Sequence, residues 1–92
     1  MEGKMVSKEI KVINAEGLHM RPASALAAAM GKYGCNVSIE HNQTSVNAKS
    51  VMHLMAACIK CGAEIRIVCD GPDEEEALKA AVSMFEAGFG EK

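Results

Sequence analysis

The segment Gly17-Leu18-His19-Met20-Arg21-Pro22-Ala23 gathers the residue types best suited to chemistry in this chain. A neutral imidazole is a nucleophile near physiological pH, because its ordinary pKa is about 6.5. Arg21 follows two residues after His19 and can donate paired hydrogen bonds to phosphate oxygens. Pro22 suits a first helical turn, where its missing N–H is no loss. A helix opening there presents backbone N–H groups and a partial positive charge, both favourable to an anion. Gly17 permits unusual backbone angles and close approach by a partner. Together these residues describe a site that accepts and holds a phosphoryl group on His19. The same pieces also suit a general anion site, or a histidine that merely caps a helix.

Three other groups invite a chemical reading. Ser50 stands before an apolar helical stripe and makes a good N-cap. Seven methionines in 92 residues is a high count; methionine fills core gaps but also suits adaptable surfaces. Met30 and Met84 read as core. Cys58-Ile59-Lys60-Cys61 is a C-x-x-C. A structural zinc site usually needs two such pairs, and Cys35 and Cys69 are isolated. A thioredoxin-type pair should open a helix after a strand, whereas this one falls at a helix end. The cysteines therefore read as incidental thiols. No metal and no cofactor are expected.

These residues need a scaffold to position them. Val6 to Ile13 reads as a strand with Val6, Ile10 and Val12 on one face. From Arg21 the period changes: Ala23, Leu26, Ala27 and Met30 recur at i, i+3, i+4 and i+7, a buried helical stripe. Gly31 and Gly34 are its stop signals. Asn36–His41 and Thr44–Ala48 read as a hairpin around Asn42–Gln43. A short helix is predicted from Val51 to Ala57, with the stripe Val51, Leu54, Met55 and Cys58. Ala63–Asp70 is a fourth strand, and Asp70-Gly71-Pro72 is a turn. Asp73 with Glu76 looks like a capping pair for a last helix, whose stripe is Leu78, Ala81, Val82 and Phe85. Gly88 ends it. The order βαββαβα implies an α/β (α+β) two-layer sandwich, with helices on one side and a largely solvated sheet face on the other.

Composition limits what such a chain does. At 92 residues it is one domain, spanning 1–92. Ten basic residues against twelve acidic ones, no Trp, one Tyr and two Phe argue against a nucleic-acid binder. No apolar run approaches the roughly 20 residues of a membrane span. The opening stretch MEGKMVSKEIKV has no apolar signal-peptide region. The expected compartment is the cytoplasm, where the thiols stay reduced.

The His19 segment resembles the active-site signature of the HPr family, the histidine-containing phosphocarrier proteins of the bacterial phosphoenolpyruvate-dependent sugar phosphotransferase system. Asn47-Ala48-Lys49-Ser50-Val51-Met52 resembles that family's second signature, around a regulatory serine. Gly62-Ala63-Glu64-Ile65, Asp70-Gly71 and Phe89-Gly90-Glu91 are similar too. The resemblance covers nearly the whole chain. It implies a four-stranded antiparallel open-faced sandwich with three helices on one face.

The resemblance also implies a relay rather than an enzyme. His19 would take a phosphoryl group on Nδ1 from Enzyme I and pass it to a histidine of a sugar-specific enzyme IIA. Arg21 would steady the phosphate oxygens, with Gly17, Met20 and Pro22 positioning the helix start. Ser50 would be phosphorylated by an ATP-dependent HPr kinase/phosphorylase, creating a surface for a catabolite-control transcription regulator. Met20, Val51, Met52 and Met55 would form the docking patch. A monomer suits transient docking. Three residues depart from the family pattern. Met20 stands where Ala is usual, and His53 and Cys58 stand where Gly is frequent. The alternatives are a regulatory or nitrogen-branch paralogue, an anion-sensing small-ligand-binding domain, and a thiol or metal protein built on C-x-x-C. Purely regulatory relatives lack the histidine that this chain retains.

Overall fold

The computed structural model describes residues 5–90. The chain runs β1 (Val6–Lys11), α1 (Met20–Gly31), β2 (Asn36–His41), β3 (Thr44–Asn47), α2 (Val51–Ala56), β4 (Glu64–Asp70) and α3 (Glu74–Glu86), and closes on a 3-10 turn at Gly88–Gly90. The strands form one antiparallel sheet in the order β1-β4-β2-β3. Ile10 lies opposite Ile65, Ile39 opposite Ile67 and Val37 opposite Cys69. Alternation sends all of these to one face, where the helices cover them. The other face is polar and solvated. There Arg66 lies opposite both Glu9 and Glu40, and its Nη2 donates to Glu9 Oε2 at 2.6 Å.

The α1 stripe forms the expected buried face. Ala23, Leu26, Ala27 and Met30 of α1 are buried against Ile39, Ile67, Leu54 and Phe85. Each large side chain contributes about 1.5–3 kcal/mol of burial. Met84 is partly buried against the same cluster. Asn42 and Gln43 both take positive φ, +51° and +65°. That is the two-residue hairpin geometry whose twist matches the flanking strands.

Four local expectations are corrected. β1 stops at Lys11; Val12 still points into the core, but Ile13 turns outward and is 55% exposed. α2 ends at Ala56, and Cys58 then adopts φ +54°. That reversal breaks the helical stripe, so Cys58 is exposed and Ile59 enters the core instead, while Met55, still within α2, is also exposed. In α3 the deepest positions are Glu74, Ala77, Ala81 and Phe85, with Leu78 and Val82 half-buried. Last, Asp73 makes no side-chain cap on α3. Its carboxylate instead accepts from the amides of Gly34 at 2.8 Å and Cys35 at 2.9 Å, closing the α1–β2 turn. The amide of Gly34 holds the Asp73 carboxyl below the usual carboxylate range. Glu74 Oε1 accepts from Gly71 N and fixes the turn before α3.

Candidate functional site

The loop from Asn14 to His19 is held by local bonds and by one backbone group distant in sequence. Gly17 N donates to Asn14 O at 3.0 Å, and the buried Asn14 returns a bond from Nδ2 to Gly17 O. Leu18 is buried, and its amide donates to Ile59 O at 2.9 Å. Gly17 sits at φ +67° against the same carbonyl. A Cβ there would lie 2.6 Å from Lys60 Cα. Two independent demands therefore call for glycine: the left-handed φ and the lack of space.

This anchored loop delivers His19 to the N-cap of α1. Its backbone is extended, φ −81° and ψ −170°, and its carbonyl accepts from Ala23 N at 3.0 Å. The His19 side chain makes no capping bond to the helix. His19 is half-buried, Met20 is 62% exposed and Arg21 is exposed. Pro22 is buried as the third helical residue, where it cannot donate. The first turn carries no acidic side chain, so nothing in it opposes an incoming anion. His19 and Arg21 therefore both stand at the N-terminal end of α1.

Ser50 caps α2, and its Oγ accepts from His53 N at 3.2 Å. The turn before it is well tied. Ser50 N donates to Asn47 O at 3.1 Å, Lys49 N to Asn47 Oδ1 at 2.9 Å, and Lys49 Nζ to Tyr33 O at 2.7 Å. Met52 is 78% exposed and Met55 38%. Val51 is half-buried against the core, so it contributes only an edge to any docking surface. α1 packs on α2 within the helical layer.

The remaining groups lie elsewhere. Cys35 and Cys69 are buried, and burial pushes the Cys69 thiol up to about 12 and raises Cys35 as well. Cys58 and Cys61 are exposed on the loop that carries Ile59. Among the described residues no group of three or more His, Cys, Asp or Glu could hold a metal. No described helix is long and apolar enough to cross a membrane. Sequence reasoning missed the Ile59 carbonyl and Asn14. The first is a backbone group and has no residue signature; the second had only its Asn-x-x-Gly spacing.

The family model described as the PTS HPr component phosphorylation site matches residues 6–87. The chain belongs to the HPr family. HPr proteins are phosphocarriers of the phosphotransferase system rather than enzymes. The phosphocarrier protein HPr of Treponema pallidum is 38% identical over 88 residues, covering 96% of this chain and all of that protein. An HPr crystal structure from Thermoanaerobacter tengcongensis superposes with a TM-score of 0.91 at 36% identity, covering 95% of this chain and 98% of the other. The HPr-like protein Crh of Halalkalibacterium halodurans is 35% identical over 82 residues, 89% of this chain and 98% of that protein. The HPr fold is the antiparallel open-faced sandwich described above.

Proposed function

We propose that this protein, a single domain over residues 1–92, relays phosphoryl groups on His19. The observation that supports the reading is a histidine at the N-cap of α1, on a loop seated by the Leu18 N–Ile59 O bond, with Arg21 in the first turn. Nδ1 of the neutral imidazole attacks the phosphorus of phospho-Enzyme I. The Enzyme I histidine leaves with the electron pair of the broken P–N bond. The Arg21 guanidinium donates to the phosphoryl oxygens, and the helix N-terminus adds partial positive charge. Gly17, Met20 and Pro22 hold this geometry at the helix start. Transfer of this kind is mostly positioning and charge stabilisation, so a small surface site suffices. A histidine of a sugar-specific enzyme IIA then takes the group in the same way. The protein acts in the cytoplasm as a monomer, with docking surface from Met20, Val51, Met52 and Met55, and it contacts neither nucleic acid nor membrane directly.

Ser50 is the regulatory site in this reading. An HPr kinase/phosphorylase adds a phosphate of about −1.5 to −2 charge at the start of α2. The charge is tolerated at a helix N-terminus, so it repels an acidic Enzyme I surface without unfolding the domain. The phosphorylated form also offers a surface to a catabolite-control regulator. The likeness to Crh favours a mainly regulatory paralogue as the second reading.

The deciding experiment supplies phosphoenolpyruvate and Enzyme I. The expected result is an acid-labile, base-stable phosphate that is absent in His19→Ala. A chain that takes no label would reject the relay and leave the regulatory reading, which a kinase and ATP assay on Ser50 then tests.

A further inference from the structure

We propose that Cys58 and Cys61 form a redox-sensitive dithiol that controls the anchorage of the His19 loop. Both thiols are exposed, whereas Cys35 and Cys69 are buried. Both line one surface depression of about 580 Å³, together with His41 and Lys60. Cys58 holds φ +54°, a left-handed turn for which glycine is the natural choice, so backbone geometry does not account for a thiol there. Cys61 Sγ lies 3.8 Å from Ile13 O, just past the end of β1 where the chain leads into the His19 loop. Between the two cysteines stand Ile59 and Lys60, the residues on which the loop rests. Ile59 O accepts from Leu18 N at 2.9 Å, and Gly17 packs on Lys60 Cα.

The step uses a hydroperoxide as the oxidant. One cysteine thiolate attacks a peroxide oxygen of hydrogen peroxide, the O–O bond breaks, and a sulfenic acid and hydroxide form. The second thiolate attacks the sulfenyl sulfur, the S–S bond forms and hydroxide leaves. The two thiol protons convert both hydroxides to water. The balance is two thiols and one peroxide to one disulfide and two waters. A disulfide needs its Cα atoms within about 7 Å. In the reduced chain the turn lies further on, where Lys60 O accepts from Ala63 N at 2.9 Å, and Ile59 and Lys60 are not its central residues. Closing the four-residue ring bends them, which draws Ile59 O away from Leu18 N and removes the seat of Gly17. The part of this inference that concerns transfer rests on His19 as the phosphoryl acceptor.

The test oxidises the full chain with hydrogen peroxide and follows three readouts. Thiol titration after denaturation should fall from four to two. The Leu18 amide resonance should move and return with dithiothreitol, which does not reverse methionine sulfoxide. Phosphorylation by Enzyme I should slow about tenfold, the worth of roughly one lost hydrogen bond, and recover on reduction. Cys58→Ser and Cys61→Ser should each abolish all three responses. Four remaining thiols, a disulfide-linked dimer, or a disulfide with an unmoved Leu18 amide would overturn the proposal. A reduced chain that takes no phosphoryl group rejects the relay instead, and the dithiol is then judged by thiol count and Leu18 alone.

Discussion

Asp73 and Cys35 are joined by a hydrogen bond of 2.9 Å from the Cys35 amide to the Asp73 carboxylate, so the residue that precedes α3 fixes the start of β2. The carboxylate takes the Gly34 amide on its other oxygen, and its ionised form is the stronger acceptor for both. Its folded pKa is lowered, chiefly by that Gly34 bond. A lowered carboxyl contributes stability that is fully present above the unfolded value of about 4 and is lost as pH falls through the folded one. Thermal unfolding of Asp73→Asn should therefore show a lower Tm than wild type at pH 7. The gap should narrow as the pH is taken below about 4. A constant gap across that range would remove the assignment.

Gly17→Ala should destabilise the fold by about 1–3 kcal/mol, through the positive φ and the overlap with Ile59 and Lys60. Denaturant unfolding gives the value. The surviving folded protein should also accept phosphate more slowly, because the His19 loop is displaced. Equal loss at Gly90, where nothing crowds a Cβ, would show that crowding is not the cause.

Ser50→Ala removes the acceptor for His53 N and should cost about 1 kcal/mol. Ser50→Asp keeps a capping oxygen and adds charge, so stability should hold while phosphorylation of His19 by Enzyme I slows. The two variants thus separate the cap from the charge. If Ser50→Asp is labelled at the wild-type rate, charge repulsion is not the regulatory device.

Arg21→Ala should leave stability nearly unchanged, since the side chain is exposed. Loss of a charge-assisted bond worth about 1.5–3 kcal/mol predicts phosphoryl transfer slower by about 10- to 150-fold. Rapid-quench kinetics measures this. Arg21→Lys should restore charge but not the paired donation, and so fall in between.

The buried thiols give a clear sign. Cys69 is pushed up to about 12 by burial, so between about pH 9 and 12 the folded chain holds a proton that the unfolded chain has lost. Stability should fall across that interval. Cys69→Ala should flatten the alkaline limb of the stability profile. In the native state at pH 8 a thiol reagent should find Cys58 and Cys61 quickly, and Cys35 and Cys69 only after unfolding.

The residues that carry a side-chain pattern were legible in the sequence. The α1 stripe of Ala23, Leu26, Ala27 and Met30 is the observed buried face. The Asn42–Gln43 turn and the Ser50 cap also stand where their residue types put them. What escaped was tertiary. Asp73 has the residue type and position of an N-cap, yet two amides from the α1–β2 turn compete for its carboxylate and win. Met55 and Cys58 continue a helical period that the chain abandons at Cys58. For the site, His19 and Arg21 were visible as residue types, but the carbonyl of Ile59 that seats their loop is a backbone atom of an ordinary apolar residue.

That seat has a consequence for the life of the chain in synthesis. The histidine loop leaves the ribosome early, while its anchor on the α2–β4 connection emerges much later. Until Ile59 docks, the Leu18 amide lacks the acceptor it has in the fold. A nascent or partly unfolded chain therefore presents no correctly aimed imidazole. In the proposed relay, competence at His19 would then report on whether the polypeptide as a whole has reached its native topology.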